Sequence, residues 1–235
     1  MKLIFINILI LFITSCVSIN CNFDEPLNRI AYYAKRYTIY IDIENNEIIE
    51  KHKQLDFIVY HNNRDDIIKM EIPAEQDINT GDISSFNTIV YEYSYNKLNN
   101  TISGTYHDIL GRPRQRYIYY LDENKKINIV EVLNMDNELL ITVNLQYNEN
   151  GKITSRAGIF HNTDRIDKYE YFYNNANQLQ NIKMISDNYY FKIDILELDE
   201  EGRIIKSINY NYGMNGYSSE PIFYHIEYYE YFNTN

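Results

Sequence analysis

The side chains best suited to chemistry in this 235-residue sequence are five histidines, two cysteines and 33 carboxylates, set among 25 tyrosines and no tryptophan. His61, His107 and His161 each follow an aromatic residue, with Asp108 and Asp164 close by in sequence. A metal site would need three or four such ligands to converge. These three stand in well-separated, turn-like stretches, and His52 and His225 add no ligand spacing, so no metal site is expected. Asp65-Asp66 and Glu200-Glu201 are neighbouring carboxylates in polar stretches, where solvated charge is the ordinary state. A glycosidase pair would instead need two carboxyls about 5 to 9 Å apart in one pocket. No serine sits in a nucleophile-elbow pattern and no glycine-rich phosphate loop occurs. The expectation is a non-catalytic protein without a cofactor.

Tyrosine is the chemically distinctive residue. Its flat apolar ring and hydroxyl suit a surface that binds protein or glycan, and they equally suit the faces of a β-sheet. Tyr189 and Tyr190, and Tyr224, Tyr228, Tyr229 and Tyr231 near the C-terminus, are the candidates for such a surface. The balance of 22 basic against 33 acidic residues, a net charge of −11, argues against nucleic acid as a partner, because phosphate backbones need clustered Lys and Arg.

The elements that would carry these residues are short alternating runs. Ile141-Thr142-Val143-Asn144-Leu145-Gln146-Tyr147 alternates apolar and polar without error, as does the stretch from Ile89 to Tyr95. Such a period places alternate residues on opposite faces of a sheet. Polar turns punctuate the runs on a fixed beat. Tyr147-Asn148-Glu149-Asn150-Gly151-Lys152-Ile153 recurs around residues 96, 122, 174 and 199, in steps of 26, 26, 26 and 25. Weaker copies near 108, 134 and 162 halve the beat to about 13. One strand of roughly eight residues and one tight turn fill each beat, which predicts an antiparallel meander of about 12–14 strands. Accumulated twist must curl so wide a sheet into a half-barrel, barrel or shell. Residues 73–87 and 213–221 break the beat and read as excursions, residues 24–36 suit either a short helix or a strand, and the phase slips near Ile195-Leu196 as a β-bulge would make it. The pattern Tyr-x-Tyr-Asn-x-x-Gly-Lys-Ile resembles the YD repeats of the Rhs family, which build long curling sheets. Here the usual Asp is mostly Asn, and the turn glycine stands only at Gly111, Gly151 and Gly202.

The first residues give an address. Met1-Lys2 precedes an apolar run over residues 3–13, too short for a bilayer span of about 20 residues and shaped like an export signal. Ile13-Thr14-Ser15-Cys16 resembles the lipobox of bacterial lipoproteins. The resemblance implies cleavage between Ser15 and Cys16 and a diacylglycerol on the Cys16 thiol, with acyl chains in the membrane as the anchor. Cys21 would then be the one thiol of a mature chain carrying 21 basic and 33 acidic residues, a net of −12. The division that follows is a signal peptide at 1–15, a lipidated N-terminus and linker at 16–36, and a single β-repeat domain at 37–235. The expected location is the bacterial cell envelope, at the outer membrane or cell surface. There the protein is expected to serve as an interaction or structural module for an unidentified protein, glycan or lipid. A carrier that holds an apolar ligand in a half-barrel concavity is the alternative.

Overall fold

The alternating runs become fourteen strands in the computed structural model, which describes residues 27–44, 47–63, 66–76, 83–96, 98–186, 189–214 and 223–234. The export signal, Ser15, Cys16, Cys21, Asp65 and most of the second excursion lie outside these residues. In chain order the strands are β1 (Tyr32–Glu44), β2 (Glu47–His61), β3 (Ile67–Gln76), β4 (Ile83–Asn96), β5 (Thr101–His107), β6 (Pro113–Leu121) and β7 (Ile127–Asn134). They continue as β8 (Leu139–Tyr147), β9 (Ile153–Phe160), β10 (Arg165–Tyr173), β11 (Leu179–Ser186), β12 (Tyr189–Leu198), β13 (Ile204–Met214) and β14 (Phe223–Asn233). Each pairs antiparallel with its neighbour in sequence, and β1 pairs with β14 through Tyr32↔Asn233 to Tyr40↔His225, closing the meander into a barrel.

Of the three shapes open to a twisted sheet of this width, the chain adopts the closed one, which leaves no free edge. Three boundaries shift from the sequence-based expectation. Residues 32–36, expected in the linker, are the start of β1. Residues 73–76 and 83–87 are strand rather than excursion, with Pro73 opposite Phe86. β13 likewise runs on to Met214. The phase slip near Ile195-Leu196 is a register shift between Ile195 and Glu197.

The beat is carried by one turn geometry. In the turns that begin at Asp108, Asp122, Asn134, Asn148, Asn174 and Asp199, the first residue's N–H donates to the carbonyl of the fifth. The fourth residue's N–H donates back to the first residue's carbonyl. The first residue's side-chain oxygen accepts from the fifth N–H in all six. The fourth residue is left-handed: Gly111, Lys125, Asn137, Gly151, Asn177 and Gly202 all have φ between 60° and 80°. This is a three-residue hairpin loop with a bulge, and it explains why Asx and Gly or Asn recur at fixed offsets.

The repeat tyrosine has its own task. Tyr147 Oη donates to the carbonyl of Ile127, and Tyr173 Oη donates to that of Ile153 at 2.8 Å, each reaching from one hairpin to the isoleucine that follows the previous turn. Tyr231 repeats the contact on Ile204 at the seam. These turns share one rim, here called the tyrosine rim, with the start of β1 and the end of β14. Near it Asn28 stands in for a missing length of strand: its amide donates to Tyr93 O and accepts from Tyr93 N, beyond the last β3–β4 pair, Lys69↔Val90.

The inner face is apolar. Buried residues from Phe57 on β2 to Met184 on β11 form one continuous cluster, and Ile67 and Met70 are 0 % exposed. A circular cylinder of fourteen strands about 4.8 Å apart, tilted by about 40°, would have a radius of roughly 14 Å. Inner side chains sealed to this degree must therefore be covered by one another, not by a column of water. Outward positions on β4, β8 and β10 carry Glu92, Ser94, Asn144, Gln146, Lys168 and Glu170, with the apolar Phe86, Val90, Ile166 and Phe172 among them. A barrel that spans a bilayer has the reverse pattern, apolar outside and polar within.

Candidate functional site

Polar chemistry is concentrated inside the barrel where it closes. Alternation along β14 aims His225, Glu227, Tyr229 and Tyr231 inward, opposite Arg36 and Thr38 of β1. On β2 a bulge between the pairs Arg36↔Phe57 and Tyr37↔Leu55 leaves Asp56 as the extra residue. The bulge turns its carboxylate toward the same cluster. Arg36 Nη2 lies 2.6 Å from Glu227 Oε1 and its Nε 3.2 Å from Asp56 Oδ2, while its guanidinium covers the Phe57 ring at 4.9 Å. Thr38 Oγ1 donates to Asp56 at 2.6 Å and Tyr229 Oη donates to Glu227 at 2.9 Å, with His225 Nε2 at 3.3 Å.

The electrostatics follow from that geometry. Burial alone would raise the pKa of Glu227, but Arg36, with His225 and Tyr229 beside it, brings it down to about 2. At Asp56 burial is the larger effect and holds the carboxyl above its ordinary value despite Arg36 and Thr38. Burial and the adjacent Glu227 push the Tyr229 hydroxyl well up. Arg36 therefore stays charged between two carboxylates, and the cluster spends its charges on itself. It pins together β14, β1 and β2, the strands that make the closure.

A second inner group lies toward the opposite rim. Arg156 is 1 % exposed, and its guanidinium sits 4.9 Å over the Tyr169 ring. Arg165 pairs with Asp167 at 2.8 Å and covers Phe160 at 4.1 Å. Asp167 Oδ1, Arg165 Nε and Ser186 Oγ are buried without a hydrogen-bond partner.

The tyrosines expected to form one binding surface are divided between the faces. Tyr229 and Tyr231 point inward and stack at 6.5 Å. Tyr189 stacks on Phe191, whose neighbours are the inner residues Met184 and Ile193. Tyr190 and Tyr228 lie on the outer face, against Tyr212 at 5.0 Å and Tyr37 at 6.5 Å. Tyr224 is paired with Tyr210 in the β13–β14 ladder. Adjacent residues of a strand cannot share a face, so the six were never available as one platform. What the outer face does carry is a smaller apolar cluster of Ile39, Ile208 and Ile226 flanked by Tyr210 and Tyr228. Lys53 stands over both Tyr37 and Tyr228 at 3.9 and 4.5 Å.

The histidines are dispersed. His61 stacks on Tyr32 at 4.7 Å at the tyrosine rim, while His107 near Glu92 and His161 against Thr142 stand at the other. The strand containing His52 is described, at the register position opposite Tyr40. Among the described residues no three His, Cys, Asp or Glu are placed to hold a metal. Glu200 and Glu201 sit in the turn begun by Asp199, where Arg203 reaches both Asp199 and Glu201. Asp66 donates its backbone N–H to Asn62 Oδ1.

No protein-family model matches the chain, and no curated protein matches it. Among solved structures it is similar to a porin-like protein from Bacteroides uniformis. The identity is 11 %, the match covers 88 % of this chain and 98 % of that one, and the TM-score is 0.41.

Proposed function

We propose that the protein is an exported, lipid-anchored barrel that works at the bacterial cell envelope as a non-catalytic interaction or structural module. The observation that carries this reading is the combination of the lipobox-like Ile13-Thr14-Ser15-Cys16 with a barrel whose interior is a packed apolar cluster and whose outward mid-strand positions include Glu92, Lys168 and Glu170. A barrel with that surface does not seat itself in hydrocarbon, so attachment falls to acyl chains on Cys16, two or three of which suffice for stable anchoring. The inner ionic cluster supports a structural rather than a catalytic role, because each of its charges is already met by another. The carrier alternative needs a concavity or an open lumen, whereas the inner apolar residues cover one another.

Metabolic labelling with radioactive palmitate tests the anchor. The wild-type chain should take up label and Cys16→Ala should not; equal labelling of both removes the anchor from the proposal.

A further inference from the structure

The six turns that share one hydrogen-bond pattern provide an internal comparison. Their second and third residues are at the tip and lend the shared pattern no side chain, only the third residue's N–H to the first residue's Oδ1 in the turns at Asp108, Asp122 and Asn134, so the pattern does not fix their identity. At the tyrosine rim these tips read Glu123-Asn124, Glu149-Asn150, Asn175-Ala176 and Glu200-Glu201. Leu98, 96 % exposed at this rim, belongs to the β4–β5 turn, which lacks the pattern, and is flanked in sequence by Lys97 and Asn99. At the opposite rim they read Ile109-Leu110 in the β5–β6 turn and Met135-Asp136 in the β7–β8 turn. Ile109, Leu110 and Met135 are 54 %, 67 % and 42 % exposed. The two turns are neighbours, joined through the β6–β7 ladder and by Arg116 Nη1 donating to Asn137 Oδ1. Large apolar side chains held in water where polar ones serve equally well mark a contact surface.

The charge beside the first tip names the occupant. Arg112 and Arg114 both reach Asp108 Oδ2, at 2.9 and 2.7 Å, and remain 57 % and 50 % exposed. Backbone and side-chain donors from Arg112 and Arg114 hold the Asp108 carboxyl well below the usual range, so the three residues carry one net positive charge in a chain of −11. Asp136 and Glu138 confine the cationic stripe to the β5–β6 hairpin. Apolar tips followed by exposed arginines fit an interface of acyl chains and phosphates.

We propose that this rim docks on an anionic phospholipid surface, with Ile109 and Leu110 entering the headgroup boundary, Met135 beside them, and Arg112 and Arg114 on the phosphates. The proposal rests on the envelope reading for its biological setting, but the contact itself does not need the Cys16 anchor. The two attachments are compatible by length. Cys16 and Leu27 are eleven residue steps apart and the chain between them spans at most roughly 38 Å, while strands of 7–9 residues such as β5 and β6 rise no more than roughly 30 Å from rim to rim.

The test uses residues 16–235 with Cys16→Ser, which removes the acyl site and keeps every described strand. Flotation is measured with phosphatidylcholine vesicles, with and without 30 mole per cent (about a third) phosphatidylglycerol. The expected result is flotation with the anionic vesicles, roughly tenfold weaker on neutral ones, as about one to two basic residues at a charged surface would give. Ile109→Asp with Leu110→Asp should abolish it at an unchanged melting temperature, and Arg112→Gln with Arg114→Gln should remove the lipid preference. Glu123→Ala with Asn124→Ala, at the other rim, should leave it intact. Absence of flotation, flotation indifferent to the tip substitutions, or equal flotation on neutral vesicles overturns the proposal. Self-association lost on the Ile109→Asp, Leu110→Asp change, without flotation, overturns it in favour of a protein contact. Because the acyl site is absent throughout, failure here leaves the palmitate result standing, and the converse holds.

Discussion

Glu227 is a carboxylate kept ionised inside a protein, held by Arg36 and the Tyr229 hydroxyl with His225 beside it. Its folded pKa of about 2 lies below its ordinary 4.5, so its ionisation favours the folded state by the order of 3 kcal/mol. That contribution is complete above pH 4.5 and is lost as pH falls toward 2. Asp56 runs the other way: its raised pKa means that its contribution is present at low pH and lost as pH rises through the folded value. Glu227→Gln should therefore cost about 3 kcal/mol in urea unfolding at pH 7, since it leaves Arg36 with Asp56 alone. The gap from wild type should narrow as pH falls toward 2. A gap independent of pH would remove the ion pair from the account. Tyr173→Phe deletes a single hydroxyl that serves the Ile153 carbonyl and should cost about 1 kcal/mol by the same measurement. The spacing His225-x-Glu227-x-Tyr229-x-Tyr231 was legible as one face of one strand. Its partners Arg36 and Asp56 were not, because one lies at the far end of the chain and the other is aimed by a bulge that leaves no mark in the residue types.

At the level of the element, the hairpin is nearly self-explanatory. Asx at the first turn position and a left-handed residue at the fourth follow from hydrogen bonds within the turn, and Tyr147 and Tyr173 just before their turns from the bond each makes to the previous hairpin. Among the six left-handed fourth positions Lys125, at φ 63°, is the one filled by neither Gly nor Asn, the residues that tolerate this conformation best. Lys125→Gly should stabilise the barrel by up to about 1 kcal/mol and Gly202→Ala, at φ 80°, should destabilise it by about the same amount, as read from denaturant midpoints. Equal and opposite changes at two copies of one motif would show that the turn acts as a repeated unit. Gly104 matters for a different reason: a Cβ there would come within 2.9 Å of the Tyr93 ring, so the glycine admits a tyrosine to the inner face. The boundaries that the pattern misplaced, at 32–36, 73–76 and 83–87, are stretches where a Tyr-Tyr pair, a proline or serines hide the alternation although these residues are laddered.

For the whole molecule, the decisive event is the pairing of β1 with β14, residues about 200 apart in sequence. Local pattern predicts strands and turns in abundance but carries no information on whether the ends of a meander meet. Besides the β1–β14 ladder, closure is sealed by the inward Arg36–Glu227 pair and by Thr234 bonding to Ala31, where the rim is tied. Closure also decides which tyrosines are structural, because it assigns every strand an inside and an outside. The barrel interior is packed and mainly apolar, closed to water between its two ionic clusters, and water meets the outward face. Cysteine scanning tests this directly, in a Cys16→Ser, Cys21→Ser chain with single cysteines at outward Glu92, Gln146 and Lys168 and at inward Ile102, Val143 and Ile182. The variants are treated with a charged maleimide, free and mixed with phospholipid vesicles. The outward three should react rapidly in both conditions and the inward three only after unfolding. Rapid labelling of the inward positions in the folded protein, with lipid protection of the outward ones, would contradict it and describe a water-filled barrel set in a bilayer.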